Sequence, residues 1–214
     1  GEMACGEYGE GKMSSPRQIF TYIKNYFHQK NLVKRKNFKA LVTTGPTREY
    51  LDPVRYISNE SSGKQGYEVA LALKKLGIKT KLIMGPSNLV ASKDLKVKKI
   101  VSAKEMMNEV KKSLPVDIAV CAAAVSDFKP ININKNKIKK NSSNIESIRL
   151  EKNPDILDYL SKNNENRPKI VIGFSAETEN LIKNSKNKIR EKYCDLIIAN
   201  YVTKEEYGFN SEYN

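Results

Sequence analysis

The segment best suited to holding phosphate is Ser-Ser-Gly-Lys-Gln-Gly at 61–66, which runs straight into a helical pattern. Small residues let backbone N–H groups approach a ligand closely, and a helix N-terminus favours an anion. It is not a Walker P-loop: Ser58 stands where the first glycine would be, and Gln65 replaces the Ser or Thr after Gly-Lys. The same six residues also fit an ordinary helix cap. A second candidate is the basic cluster Lys137, Lys139 and Lys140, which could close over a polyphosphate and neutralise charge on a leaving pyrophosphate. A solvated charge run fits those lysines equally. Lys188 and Lys192, one helical turn apart, either reach the same pocket or face water, and Phe174 either joins the core or stacks on a ring. One His and three Cys without paired spacing exclude a His-based metal site and any scheme needing several imidazoles. No G-x-G-x-x-G follows the first strand, which weakens a nicotinamide-dependent reading.

The elements that must position these residues follow a βαβα rhythm from residue 39 onward. Apolar, β-branched runs at 39–44, 79–84, 116–121, 169–173 and 194–199 read as strands buried on both faces. Helical spacing fills 66–76, 103–114, 154–163 and 178–192 between them. Parallel strands need crossovers and helices supply them, so the fold expected is α/β, a doubly wound, mostly parallel Rossmann-like sheet with helices on both faces. Residues 45–62 and 122–146 interrupt the rhythm with connections far longer than the usual ~2–6 residues. Ligands of open parallel sheets bind beyond the carboxyl ends of strands, which here carry Gly45-Pro-Thr-Arg, Gly85-Pro-Ser, Ala122-Ala-Ala-Val-Ser-Asp127, Phe174-Ser-Ala-Glu-Thr178 and Asn200. Upstream, Ser14-Ser15-Pro16 reads as the start of an amphipathic helix over 17–27, and 29–38 reads as a linker.

The chain has 214 residues, 39% hydrophobic and 29% charged, with 38 Lys+Arg against 24 Asp+Glu for a net charge of +14. Such a length can bury roughly 70% of the unfolded chain's surface without a disulfide or metal staple. The basic residues are scattered in small clusters, such as 34–36, 96–99 and 137–140, rather than in one stripe. The charge is therefore assigned to solvated surface, with no nucleic-acid partner expected. No apolar run approaches the ~18 residues of a membrane span, so no membrane partner and a cytoplasmic location are expected.

The segment Thr44-Gly-Pro-Thr-Arg-Glu-Tyr-Leu-Asp-Pro-Val-Arg-Tyr-Ile-Ser-Asn-Glu-Ser-Ser-Gly-Lys-Gln-Gly66 resembles the signature of bacterial phosphopantothenoylcysteine synthetase, the second half of a bifunctional coenzyme A biosynthesis protein. Ala122–Asp127, Lys137-Ile-Lys-Lys140, Glu151-Lys-Asn-Pro-Asp-Ile156, Gly173-Phe-Ser-Ala-Glu-Thr178 and Gly208-Phe-Asn-Ser211 follow in that family's order. The resemblance implies a CTP-dependent ligase with Mg2+. The carboxylate of 4′-phosphopantothenate attacks the α-phosphate of CTP, releasing pyrophosphate. The amine of L-cysteine then displaces CMP from the phosphopantothenoyl-cytidylate. The same ligation with ATP, and a truncated, inactive protein that keeps only dimerisation and nucleotide binding, are the alternatives.

Residue by residue, the resemblance makes Asn59 the residue that handles the acyl-nucleotide, with Arg55 in the same motif, and Lys137 the essential triphosphate contact. It puts nucleotide contacts at Cys121, Ala122, Ala123, Asp127, Pro154, Asp155, Ile156, Leu157, Phe174, Lys188 and Lys192, of which Cys121 and Ile156 fit a core role equally. Ser62, Gly63 and Gly66 match the family's phosphate-binding turn, and no protein-held metal centre is expected. A homodimer is. Residues 1–13 resemble the flap that ends the flavin-dependent decarboxylase half, in which Cys5 matches the proton donor. The division expected is 1–38 as decarboxylase-tail flap, helix and linker, and 39–214 as the ligase domain. FMN is expected only with the decarboxylase half, and Cys5 is orphaned without it. Tyr201 departs from the family's usual Asp, and the family continues with a strand and a helix past the position of Asn214, so the domain is expected to lack its last elements.

Overall fold

In a computed structural model of the chain, residues 15–29, 37–139, 147–162 and 165–202 are described. Helix α1 (Pro16–Gln29) leads to β1 (Lys39–Thr44), a short ribbon of β2 (Arg48–Tyr50) and β3 (Tyr56–Ser58), and α2 (Lys64–Lys75). Then come β4 (Lys79–Met84), β5 (Lys96–Lys99), α3 (Ala103–Ser113), β6 (Ile118–Cys121), and a second ribbon of β7 (Phe128–Pro130) and β8 (Leu150–Lys152). The described chain closes with α4 (Ile156–Lys162), β9 (Ile170–Glu177), α5 (Leu181–Lys192) and β10 (Leu196–Tyr201).

Six strands form one parallel sheet in the order β10-β9-β6-β1-β4-β5. Numbered among themselves, these strands run 3-2-1-4-5-6 from one edge, the Rossmann arrangement. Val42 of β1 stands beside Leu82 of β4 and Val120 of β6, and this register sorts the apolar runs onto two faces. Val42, Leu82, Val120 and Ile172 pack under Val69, Ala70 and Leu73 of α2. Their alternate neighbours Leu41, Ile83, Ala119 and Val171 pack under Met106, Met107 and Val110 of α3 and Leu160 of α4. Successive strand residues point to opposite faces, so a continuous apolar run requires cover on both. Each fully buried aliphatic side chain contributes about 1.5–3 kcal/mol. Helix α1 joins the first of these layers through Ile19 and Ile23, buried with α2's face.

Local chemistry explains the helix ends. Ser102 caps α3 by accepting the Glu105 N–H at 3.2 Å, while Glu105 reaches back past the cap to accept the Val101 N–H at 2.9 Å, a variant of the capping box. Helix α2 starts after Gly63, whose φ of 77° no branched residue would adopt, and stops before Gly77 at φ 80°.

The structure departs from the sequence expectation in several places. Strand β9 runs on to Glu177 and β10 to Tyr201, so Phe174–Glu177 and Asn200, expected beyond strand ends, lie within strands. Lys96–Lys99, named from sequence only as a basic cluster, is an edge strand; charged side chains suit an edge because they discourage a further strand from adding. The two long connections hold the antiparallel ribbons β2–β3 and β7–β8. Helices α2 and α5 begin at Lys64 and Leu181, against the expected 66 and 178. Among the described residues no helix is long and apolar enough to cross a membrane.

Candidate functional site

The crossovers from β1 and β6 leave in opposite directions, so the sheet's switch point lies between their carboxyl ends. There the two chains stay paired past the sheet. Ala122 N–H donates to the Thr43 carbonyl at 3.1 Å and Ala124 N–H to the Gly45 carbonyl at 3.0 Å, with a parallel bridge between Pro46 and Ala124. Ser126 N–H then donates to Thr47 Oγ1 at 3.0 Å. The small residues that follow both strands thus serve first to let two backbones run side by side.

Past this zipper, the β2–β3 ribbon folds over the end of β1. Arg48 lies over the Tyr56 ring at 4.5 Å, Tyr50 meets the same ring edge-on, and buried Glu49 accepts the Ala103 N–H at 2.9 Å, at the start of α3. A cleft of about 650 Å³ opens beside it, lined by Arg48, Asn59, Ser61, Ser62, Lys64 and Ser87 among others. Asn59 spans the switch point, donating Nδ2 to the Val125 carbonyl at 3.0 Å. Ser62 faces the cleft. Gly66 is buried behind it, where a Cβ would stand 2.6 Å from Thr44 Oγ1, and Thr44 Oγ1 donates to the Gly63 carbonyl at 2.6 Å. The two glycines therefore let the start of α2 sit directly on β1; Gly63 at the cap has no side chain to offer, and Ser62 Oγ accepts the Lys64 N–H at 3.4 Å.

Lys137 lies on the exposed segment after β7, and that segment is tied to the first loop. Asn134 N–H donates to the Leu51 carbonyl at 2.9 Å. Arg55 Nη1 pairs with Asp52 Oδ2 at 2.7 Å and donates to the Ile138 carbonyl at 3.1 Å, and Ile138 N–H donates to Asp52 Oδ2 at 3.2 Å. Burial alone would raise the Asp52 carboxyl; the N–H groups of Val54, Arg55 and Ile138, together with the Arg55 charge, outweigh it and hold the carboxyl down to about 2. The guanidinium of Arg55 thus touches the backbone beside Lys137.

The expected nucleotide residues gather around the carboxyl end of β6 and the middle of β9. Cys121 and Gly173 are register partners, Phe174 is half-buried one residue on, and α4 begins with Ile156 above them. Asp155 Oδ1 accepts the Asp158 N–H at 2.8 Å, and its Oδ2 pairs with Lys192 at 2.7 Å. Lys188 Nζ donates to the Phe174 carbonyl at 3.0 Å. Asp155 and Asp158 raise the Lys192 pKa against the effect of burial. Ile156 and Leu157 are buried in the core under the sheet, so their side chains anchor α4. The Cys121 thiol is pushed up to about 12, by burial first and by the Asp155 charge second, which makes it a neutral packing group rather than a nucleophile. Asp127 leads into β7 and its carbonyl accepts the Asn153 N–H at 2.8 Å, setting Pro154 and α4 beside the switch point. Cys5, Lys140 and the Gly208-Phe-Asn-Ser211 segment lie outside the described residues.

Asp52 and Glu49 are site-building residues that the sequence reading did not single out. Asp followed by Pro and, three residues on, by Arg is a turn signature with a built-in ion pair, and could have marked Asp52. Nothing local marks Glu49, whose partner is 54 positions away. Chemically, the arrangement offers a polar cleft beside a helix start, a pair of lysines held against β9 and α4, and one amide bridging the loops beyond β3 and β6. It suits a reaction joining two phosphate-bearing or carboxylate-bearing partners by positioning and charge neutralisation.

Residues 35–214 match the family described as DNA/pantothenate metabolism flavoprotein C-terminal domain. The chain is 40% identical over 215 residues to the coenzyme A biosynthesis bifunctional protein CoaBC of Haemophilus influenzae, covering 100% of this chain and 52% of that protein. It spans about half the length of the curated relatives it matches. A crystal structure of the C-terminal domain of CoaBC superposes with a TM-score of 0.67 at 34% identity, covering 77% of this chain and 78% of that one. A mutant of Cab2 in complex with phosphopantothenate-cysteine shares the fold, with a TM-score of 0.64 at 18% identity over 89% of this chain and 81% of that one.

Proposed function

The chain belongs to the DNA/pantothenate metabolism flavoprotein C-terminal domain family, and from that premise we propose that it is the ligase portion of a coenzyme A biosynthesis protein, joining 4′-phosphopantothenate to L-cysteine with CTP. The observation that carries this reading is the Asn59–Val125 bridge at the switch point, which ties the Ser62 cleft to the loop that leaves β6. The cleft takes phosphopantothenate, its phosphate beside Ser62 and the start of α2. CTP lies beyond the carboxyl end of β6, with Asp127, the backbone of Ala122, Ala123, Pro154 and Asp155, and Phe174 beside it. Lys188 and Lys192 leave their present partners to meet the nucleotide. Lys137, from its tethered segment, neutralises the triphosphate as the carboxylate attacks the α-phosphorus and the P–O bond to pyrophosphate breaks. Asn59 holds the acyl-cytidylate for the amine of cysteine, which forms the amide and expels CMP.

None of these steps needs a protein nucleophile, in keeping with the raised Cys121 thiol. Mg2+ would arrive with the triphosphate. A metal held mainly by phosphates asks only one or two carboxylates of the protein, and among the described residues no group of three His, Cys, Asp or Glu side chains could hold a metal on its own. FMN belongs with the decarboxylase half of such proteins, where residues 1–38 would contribute their flap and Cys5.

A homodimer is part of the proposal. Phe128, Ile131, Ile148 and Leu150 expose apolar surface on and beside the β7–β8 ribbon, a patch suited to a second copy of the chain. The test of the whole reading is pyrophosphate release on mixing the chain with CTP, 4′-phosphopantothenate and Mg2+, with amide formation once cysteine is added. An ATP arm decides the nucleotide. No release with either nucleotide sinks the ligase reading.

A further inference from the structure

Asp52 is fully buried, yet only half of its carboxylate serves its own turn. Oδ1 accepts the N–H groups of Val54 at 2.7 Å and Arg55 at 2.8 Å, which closes the turn. Oδ2 reaches outward to Arg55 Nη1 and to the Ile138 N–H, while Arg55 Nη1 also takes the Ile138 carbonyl. Both backbone groups of Ile138 therefore end on one ion pair more than eighty positions earlier in the chain. Residues 131–137 are exposed throughout, and Ile138 is the half-buried residue at which the segment is gripped. A buried carboxylate must have its lone pairs satisfied, and here Oδ2 is satisfied by Arg55 and a segment more than eighty positions away, so Asp52 sets where that segment lies as well as closing its own turn.

Resting on the reading of Lys137 as the triphosphate contact, we propose that Asp52 is a positioning residue for nucleotidyl transfer, holding Lys137 at the triphosphate through Arg55 and the backbone of Ile138. A lysine on an untethered segment loses that segment's freedom each time it binds; a segment already gripped beside it has lost most of that freedom beforehand. Asp52 itself touches no substrate. Its effect passes wholly through the residue next to Ile138.

The test is a double-mutant cycle on the affinity of the 214-residue chain for CTP with Mg2+, measured by calorimetry. Asp52→Asn keeps the size of the side chain but puts an NH2 group where Oδ2 accepted, and Arg55→Met removes the guanidinium that grips the Ile138 carbonyl while keeping most of the side chain's apolar length. Each is expected to weaken CTP binding about tenfold. Neither is expected to weaken it further on a Lys137→Gln background, because the effect runs through that lysine. Arg55→Met, at a half-exposed side chain, keeps the test decisive should Asp52→Asn fail to fold. Equal weakening in both backgrounds, or none in either, overturns the proposal. A Lys137→Gln chain that binds CTP as tightly as the parent overturns the triphosphate reading beneath it, a failure separable from the first.

Discussion

Asn59 and Val125 leave different strands, β3 and β6, and meet across the switch point with Nδ2 of one 3.0 Å from the carbonyl of the other. Asn59→Asp replaces the donor with a carboxylate oxygen facing a carbonyl, at nearly constant volume. Pyrophosphate release from CTP should persist while amide formation falls on the order of 10²-fold, the usual cost of one misaligned polar group at a reacting centre. Quenched samples analysed by mass spectrometry should show the acyl-cytidylate accumulating. Unchanged amide formation would remove Asn59 from the second step.

Gly85 tests how the zipper beyond the sheet is built. Its N–H donates to the Thr44 carbonyl at 2.9 Å, and a Cβ there would stand 1.8 Å from the Pro46 carbonyl oxygen, a backbone atom that cannot swing aside. Gly85→Ala should cost at least about 1–3 kcal/mol in urea unfolding and displace Pro46 from Ala124. Gly77→Ala meets nothing within 4 Å and bears only its positive φ, so a loss of about 1–2 kcal/mol with CTP binding intact is expected. Equal effects of the two substitutions on CTP binding would contradict this account.

Asp52 makes stability depend on acid. Its carboxyl is held at about 2 in the folded chain against an ordinary 3.8, so the unfolded chain takes up the proton first as pH falls. The contribution is complete above about pH 4 and is lost between 3.8 and about 2. The difference in thermal midpoint between the parent and Asp52→Asn should therefore narrow as pH drops through that window. A gap that stays constant down to about pH 2 would show that the carboxylate's charge is not what the fold uses.

Cys121 should resist alkylation. With its thiol at about 12 against an ordinary 9.0, the reactive thiolate falls about a thousandfold. Burial raises Cys194 as well. Iodoacetamide near neutral pH should leave both unmodified in the folded chain and label both in urea, read peptide by peptide in a mass spectrometer. Rapid labelling of native Cys121 would place it outside the core.

The parallel sheet was legible in sequence because β1, β4, β6, β9 and β10 are uninterrupted apolar runs, and a strand covered on both faces has no other way to be written. Strand β5 was not, since Lys96–Lys99 pairs on one side only and carries the charge of an edge. The ribbons β2–β3 and β7–β8 were hidden for a related reason: three-residue strands have no period to detect, and their pairing is set by partners as distant as Phe128 and Lys152.

By itself the sequence determined the fold class, the family signature and the residue types available for phosphate and nucleotide, because periodicity and short motifs are local properties. Only the tertiary structure decided what those residues touch. It set Gly66 against Thr44 and buried the side chains of Ile156 and Leu157, and it paired Lys192 with Asp155. It also joined Asp52 and Arg55 to Ile138, a contact between segments more than eighty positions apart that no local pattern encodes. Such contacts exist only once the sheet has brought the ends of β1 and β6 side by side.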